Sequence, residues 1–524
     1  MSVNRFTYSD AKNADSVTAD ICVIGSGPGG AIPAVALAQY GHKVVLLESG
    51  PRVNGHGAAR ITNLVVTDGV PDLPVSGILQ LGGSSNLWAG RIAPLEVIDF
   101  EERRWVPRSG WPVNIGSLPY KKAFALLTAG DEMMMCLSRH SSVPIGGVTE
   151  DSELEVKPFY WANQPFNTAQ YLEKEASELG GKLQIVLNSP VVELKTSASG
   201  NFIEAASIRL PDGGLQHVRA KIFILAAGGL ETPRILLSST GVNGCGIGNE
   251  HDLVGRYLST HPKADVATLT LKRRVGTDHP LFTDQNSGRG RMRLGLGFNA
   301  ATQRELGLLN HYVQLSPFLE YRASVLFEVL RRSSFVQSPL IDGRKIARNL
   351  LPSLGQVVFE GISRLAGLQN HARVFILRAF LDQYPNNENR VQLSSAYTDD
   401  GIRKVDVRWS FSRQDRESVI KFLSRLSDRL VQHDLGTVEY DKLLAIEGNW
   451  PITSIHSHFM GTTRMGMSER DGVVNADCRV FSQTNLYVSG PSVFPTYGYA
   501  NPFLTIAALG LRLADHIHLK LKQG

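Results

Sequence analysis

Cysteine is scarce in this 524-residue chain: Cys22, Cys136, Cys245 and Cys478 are its whole complement. They lie far apart and form no C-x-x-C pair, which argues against a disulfide framework, a zinc ribbon or a c-type haem attachment site. A reducing compartment is the simplest reading. No stretch approaches the roughly 18 consecutive apolar residues of a membrane span. Residues 1–20 contain no apolar signal core and no twin arginine, so a cytoplasmic location is expected. Charge of one sign is also lacking. Lys and Arg number 54 against 49 Asp and Glu, a net +5, which gives no reason to expect nucleic acid as a partner. There is no internal repeat and no low-complexity tract.

What is present reads as globular. The apolar fraction is 43% and the charged fraction 20%, and the length suggests roughly two to four domains. Residues Ala19 to Ile24 form a short apolar run ending in glycines. A helix follows over about Pro28 to Tyr40, stopped by Gly41, and then a second apolar strand from Lys43 to Leu47. This is the βαβ opening of a parallel sheet. From Leu183 to Ala227 four strand-like segments separated by turn residues predict a β-meander, and Arg390 to Ser412 predicts a second antiparallel pair. Between about Leu326 and Leu381 the apolar spacing is helical, including the segment RVFILRAF. A last helix is expected from about Pro502 to Leu519.

The glycine turn carries the first chemistry. Gly25-Ser26-Gly27-Pro28-Gly29-Gly30 fits G-x-G-x-x-G between strand and helix, and Glu48 stands 18 positions beyond Gly30 at the end of the next strand. Gly25 makes the tight turn, Gly27 admits a pyrophosphate, Gly30 lets helix and strand pack closely, and Glu48 accepts from a ribose. The pattern predicts dinucleotide binding without choosing between NAD and FAD.

Three further stretches choose. LGGSSNLWAGR at Leu81–Arg91, AAGGLETPRILLSS from Ala226, and the closing HFMGTTRMG…PTYGYANPFLTIAALGLRLADHI from His458 resemble the glucose–methanol–choline (GMC) oxidoreductases. The resemblance implies an α/β fold (α+β overall): a discontinuous Rossmann-like FAD-binding domain and a substrate domain with an antiparallel sheet and helices. It assigns 15–120, 180–262 and 450–524 to the first and 121–179 and 263–449 to the second. Beyond the fingerprint, the residues it places around FAD are Gly82, Gly83, Ser84, Asn86, Trp88, Ala89, Val192, Ala226, Ala227, Gly228, Asn501, Pro502 and Thr505. The last helix, with Asn501 as N-cap, would aim its positive end at the flavin pyrimidine ring. Some members attach FAD through a histidine just before the tryptophan. Here that place holds Leu87, so FAD is expected to be non-covalent.

The resemblance also implies a catalytic pair, His458 and Asn501. The histidine takes the hydroxyl proton of an alcohol as hydride leaves for flavin N5, and Asn501 holds the substrate oxygen. A secondary hydroxyl of a sugar or glycoside is the expected substrate, with oxygen or another acceptor and with a homo-oligomer open. Tyr497 and Tyr499 fall close enough in sequence to line the site, while Gln314, Gln383, Tyr384 and His311 offer polar groups for substrate. His261 and His311 read as structural or at most supporting residues. His456 makes an H-x-H with His458, but no third ligand stands nearby, so no metal is expected. The basic positions between 331 and 373 read as a solvated helical face. Two alternatives stay open: a lyase that keeps FAD as structure, and a non-catalytic flavin-binding protein.

Overall fold

The computed structural model describes residues 9–10, 18–52, 59–60, 65–67, 78–128, 151–162, 164–210, 212–277, 279–287, 290–318, 371–399, 401–440, 450, 452–454 and 458–523. Two large sheets organise them. The first has a parallel core. Strand Thr18–Ile24 pairs with Val44–Leu47 on one side and with Leu215–Leu225 on the other, and Leu486–Val488 extends the sheet beyond the latter. Helix Pro28–Gln39 crosses between the first two strands, with proline at its first position and Gly41 at φ +92° just after its end. Its buried side and Phe503–Gln523, the final helix, pack together. Strands buried on both faces read as continuous apolar runs, as Val44–Leu47 does.

Two expectations need correction. Leu183–Leu187 does not open a meander. It lies parallel to Val44–Leu47, and only Val191–Thr196, Ile203–Arg209 and Leu215–Leu225 run antiparallel in succession. Its sequence lacks the two-residue alternation of a half-exposed strand, and helix Thr168–Glu178 precedes it as the crossover. RVFILRAF is not helical either: His371–Phe380 is a strand paired on both sides, with Lys263–Gly276 and with Tyr312–Pro317. A short apolar run with β-branched and aromatic residues is ambiguous by periodicity alone, and pairing with two neighbours decided it. The rest of that helical expectation, with Arg331, Arg332, Arg344, Lys345, Arg348 and Arg364, lies outside the described residues. Arg373 sits on the strand and donates through Nε to the Leu271 carbonyl at 2.7 Å.

The second sheet is antiparallel, in the order Gly436–Glu439, Lys263–Gly276, His371–Phe380, Tyr312–Pro317, Gly290–Phe298, Leu154–Ala162, Arg91–Ile92. Its register puts Lys263 opposite Phe380, Phe380 opposite Tyr312, and Arg91 opposite Trp161, so these side chains share one face with Phe159. The hairpin Arg390–Tyr397/Arg403–Arg408 forms where expected, turning at Gly401 with φ +76°. Among the described residues no helix is long and apolar enough to cross a membrane.

Candidate active site

The glycine turn is built as its spacing requires. Gly25 has φ +103°, and a Cβ there would meet the Ala226 carbonyl oxygen at 2.5 Å. A Cβ on Gly30 would fall 1.9 Å from the Gly25 carbonyl oxygen, and one on Gly29 would fall 2.9 Å from Gly490 Cα. Gly27 differs: a Cβ there meets nothing within 4 Å. It is the open side of the turn, at the N-terminus of helix Pro28–Gln39, where free N–H groups and the helix dipole favour a phosphate.

Other predicted residues converge on this turn. The Glu48 carboxylate is buried and accepts from Ser26 N at 3.0 Å, Ser26 Oγ at 2.5 Å and Gly50 N at 2.9 Å. Burial raises its pKa, and these three donors oppose that rise. Glu48 therefore also ties the turn down, a role its spacing did not reveal. Ser26 Oγ accepts from Gly82 N at 2.9 Å, and a Cβ on Gly83, at φ +59°, would lie 3.4 Å from Gly27 Cα. Segment Gly83–Leu87 thus lies beside the turn and leaves the Gly27 side open. Ser84 Oγ accepts from Ile78 N, and Asn86 Nδ2 donates to the Leu81 carbonyl at 2.7 Å. Among the described residues, the buried Oδ1 of Asn86 has no hydrogen-bond partner.

Trp88 donates to the Phe166 carbonyl and packs its ring 4.1 Å from that of Phe503, directly after Pro502; Ala89 follows on the same loop. Ala226, Ala227 and Gly228 end the Leu215–Leu225 strand, and Gly228, at φ +80°, again faces open space. Val192 follows Ser189, whose N–H donates to the Glu48 carbonyl. Thr505 is buried in the first turn of the last helix against the Tyr120 hydroxyl at 2.9 Å. The helix begins at Phe503, one residue later than expected, so Pro502 rather than Asn501 directly precedes its first residue. An open glycine cradle, an orphaned amide oxygen and a buried ribose-range carboxylate fit FAD.

His458 is held from both sides of the chain. A Cβ on Gly229 would lie 2.1 Å from the Phe459 carbonyl oxygen, and Thr462 Oγ1 donates to the Gly229 carbonyl at 2.7 Å. The AAGG segment therefore packs directly on the His458 segment. His458 Nδ1 lies 3.3 Å from His261 Nδ1, with the two rings edge-to-face at 5.4 Å. His261 Nε2 reaches the Gly498 carbonyl at 3.1 Å, and its ring packs against Tyr497 at 4.6 Å. Through His261 the structure links His458 to the turn that carries Asn501 three residues on. Asn501 itself is half-buried. Burial, then the charges of Lys263 and Arg91, push His458 down to about 3. Burial likewise holds His261 well below the usual imidazole value.

The remaining polar expectations sort differently. His311 is buried between the Asp382 N–H and Ser418 Oγ, away from this cluster. Gln383 is used internally: its Oε1 accepts from Thr260 N and Trp409 Nε1. The Tyr384 N–H donates to Asp415, and Gln314 donates to the Tyr312 hydroxyl at 3.3 Å. Tyr497 donates to the Thr260 carbonyl, and Tyr499 donates to Glu96 while stacking on Tyr312 at 5.1 Å. His456 lies outside the described residues. What the sequence reading left out is Arg91, the last residue of LGGSSNLWAGR, and Lys263, both of which act on His458. Only sheet register brings them there.

Residues 20–242 match the family model of FAD dependent oxidoreductases, and residues 385–510 match that of the GMC oxidoreductases. Among curated proteins, the fructose dehydrogenase large subunit of Gluconobacter japonicus is 28% identical over 68% of this chain, a stretch that spans 57% of that relative. The 2-methyl-1,2-propanediol dehydrogenase of Mycolicibacterium austroafricanum is 25% identical over 95% of both chains. Among solved structures, pyridoxine 4-oxidase from Mesorbium loti superposes with TM-score 0.58 at 16% identity, covering 95% of this chain and 99% of that one. With the cradle and the two family matches in register along the chain, this protein is an FAD-dependent oxidoreductase whose residues 385–510 match the GMC oxidoreductases.

Proposed function

We propose that this chain oxidises an alcohol, most specifically a secondary hydroxyl of a sugar-type substrate, with His458 as base and Asn501 as the group that holds the substrate oxygen. FAD bound in the cradle supplies the acceptor for the C–H hydrogen. The observation that carries the reading is the hydrogen-bond chain through His261. A carbonyl oxygen can only accept, so His261 Nε2 carries the proton shared with Gly498. A neutral His261 then presents a lone pair at Nδ1, and His458 must donate its own Nδ1–H across the 3.3 Å contact. That leaves the lone pair of His458 on Nε2, the atom that accepts a hydroxyl proton. The depressed pKa keeps the imidazole neutral as pH falls through the ordinary imidazole value.

Asn501 cannot exchange a proton. Its amide donates to an oxygen and fixes the reacting carbon, a contribution made through alignment. The names of the two relatives, a sugar dehydrogenase and a diol dehydrogenase, support an alcohol as substrate.

The test is an anaerobic absorbance titration of the purified holoprotein with sugars, glycosides and simple diols, followed by admission of air. Bleaching of the flavin by one class is expected and names it. Recovery of colour in air marks an oxidase, and persistence marks a dehydrogenase. A flavin that no alcohol bleaches, in a protein that cleaves cyanohydrins, would replace this reading with the lyase.

A further inference from the structure

The face of the second sheet that looks toward His458 is cationic where a plain hydrophobic wall would have served. The half-buried Arg91 has its Cζ 4.4 Å from the Trp161 ring, 4.5 Å from Phe380 and 4.7 Å from Phe159. Lys263 Nζ lies 4.6 Å from the same Phe380 ring, so the two cations share one aromatic wall. Among the described residues no carboxylate pairs with Arg91 and no acceptor hydrogen-bonds it. The two acids of this region are already engaged: Asp284 lies 3.6 Å from both Arg291 and Arg293, and Asp265 accepts from Arg378 at 2.9 Å. Rings screen the faces of the Arg91 guanidinium but satisfy none of its five N–H donors. Those donors are open to a ligand on the half-exposed side of the group, and its charge also weighs on the base beside it. The pyrophosphate of the cofactor does not answer for it, since the phosphate cradle is the Gly27 turn of the other sheet.

We propose that Arg91 binds a carboxylate carried by the substrate, so that the alcohol oxidised at His458 is a hydroxy acid or sugar acid. This rests on the alcohol-oxidation reading of the same site and narrows it. The guanidinium edge offers two parallel N–H groups, which match the two oxygens of a planar carboxylate. The aromatic walls accept the carbon skeleton, and Lys263 adds positive charge on the same side. The charges of Arg91 and Lys263 both reach His458, so an acid group held there sets the rest of the substrate on the side of that histidine. Neutral sugars lack a group to answer Arg91, and the enzyme discriminates against them because that charge stays unmatched.

Two measurements on the holoenzyme test this. In the first, benzoate and acetate, which cannot be oxidised, are titrated against the flavin spectrum, with benzamide as the neutral control. Saturable perturbation by benzoate and none by benzamide is expected, weakened about tenfold or more in Arg91→Gln and less in Arg91→Lys. In the second, anaerobic flavin reduction is compared within matched pairs, glycerate against glycerol and gluconate against sorbitol. The acid of each pair is expected to have the higher kcat/KM, with the ratio collapsing in Arg91→Gln. FAD content checks that each variant folds, and Arg91→Lys supplies the comparison should Arg91→Gln fail to accumulate. Benzoate that does not bind, or binds Arg91→Gln as tightly as the parent, overturns the proposal. Benzoate held by Arg91 in an enzyme whose flavin no acid or alcohol reduces would leave the carboxylate site standing and remove the alcohol reading. Reduction by neutral alcohols without benzoate binding would do the reverse.

Discussion

The Nδ1 atoms of His261 and His458 lie 3.3 Å apart, and the far nitrogen of His261 is fixed by the Gly498 carbonyl at 3.1 Å. On the proposed reading, His261 is thereby a positioning residue that sets which nitrogen of His458 carries the proton.

Removing it while keeping its bulk, as in His261→Phe, is expected to slow flavin reduction about 10–100-fold, because His458 then samples both tautomers. His261→Gln retains one acceptor and one donor and should recover much of that loss. Rapid-mixing reduction kinetics of both variants, with FAD content as a folding control, decide the matter. Equal damage in the two would mean that His261 only fills space.

If His458 is the base, as proposed, the acid limb of the reaction reports its titration. Its folded-state pKa is depressed to about 3 by burial and by the charges of Lys263 and Arg91. The neutral base therefore persists as pH falls through 6.5 and is lost only as pH approaches the depressed value. The rate constant for flavin reduction should be level from about pH 8 to about pH 6 and decline well below that. A limb centred at the ordinary imidazole value would contradict it. His458→Ala should lower the rate by about 10²–10⁴-fold without releasing FAD.

Two glycines of one turn should fail in different ways. Gly27→Val meets open space in the protein, so the chain should fold while FAD affinity drops by about tenfold or more, which a flavin fluorescence titration reads. In Gly30→Ala the new methyl would lie 1.9 Å from a backbone oxygen, so that variant should lose thermal stability even as apoprotein. Equal melting temperatures for the two apoproteins would refute the distinction.

Leu87 stands where a histidine would be needed to attach FAD, and its side chain offers no nucleophile. Acid precipitation should leave all of the flavin in the supernatant. Flavin retained in the pellet would show another point of attachment.

Much of the first sheet was legible in the sequence. Local rules decide a strand–glycine turn–helix: an apolar run, glycines where the backbone must turn or approach, proline at the first helical position. Hence the bounds of Thr18–Ile24 and Pro28–Gln39 came within a residue or so of expectation. Leu183–Leu187 and His371–Phe380 were misread because a short apolar segment takes its state from partners that lie far away in the chain. The site divides along the same line. His458 and Asn501 were marked by the motifs around them. The sequence could not disclose that His261, 197 residues from His458, lies within hydrogen-bond reach of it, or that Arg91 and Lys263 meet on one aromatic ring. Those relations depend on sheet register and on desolvation, and both come into being only when distant strands pack together.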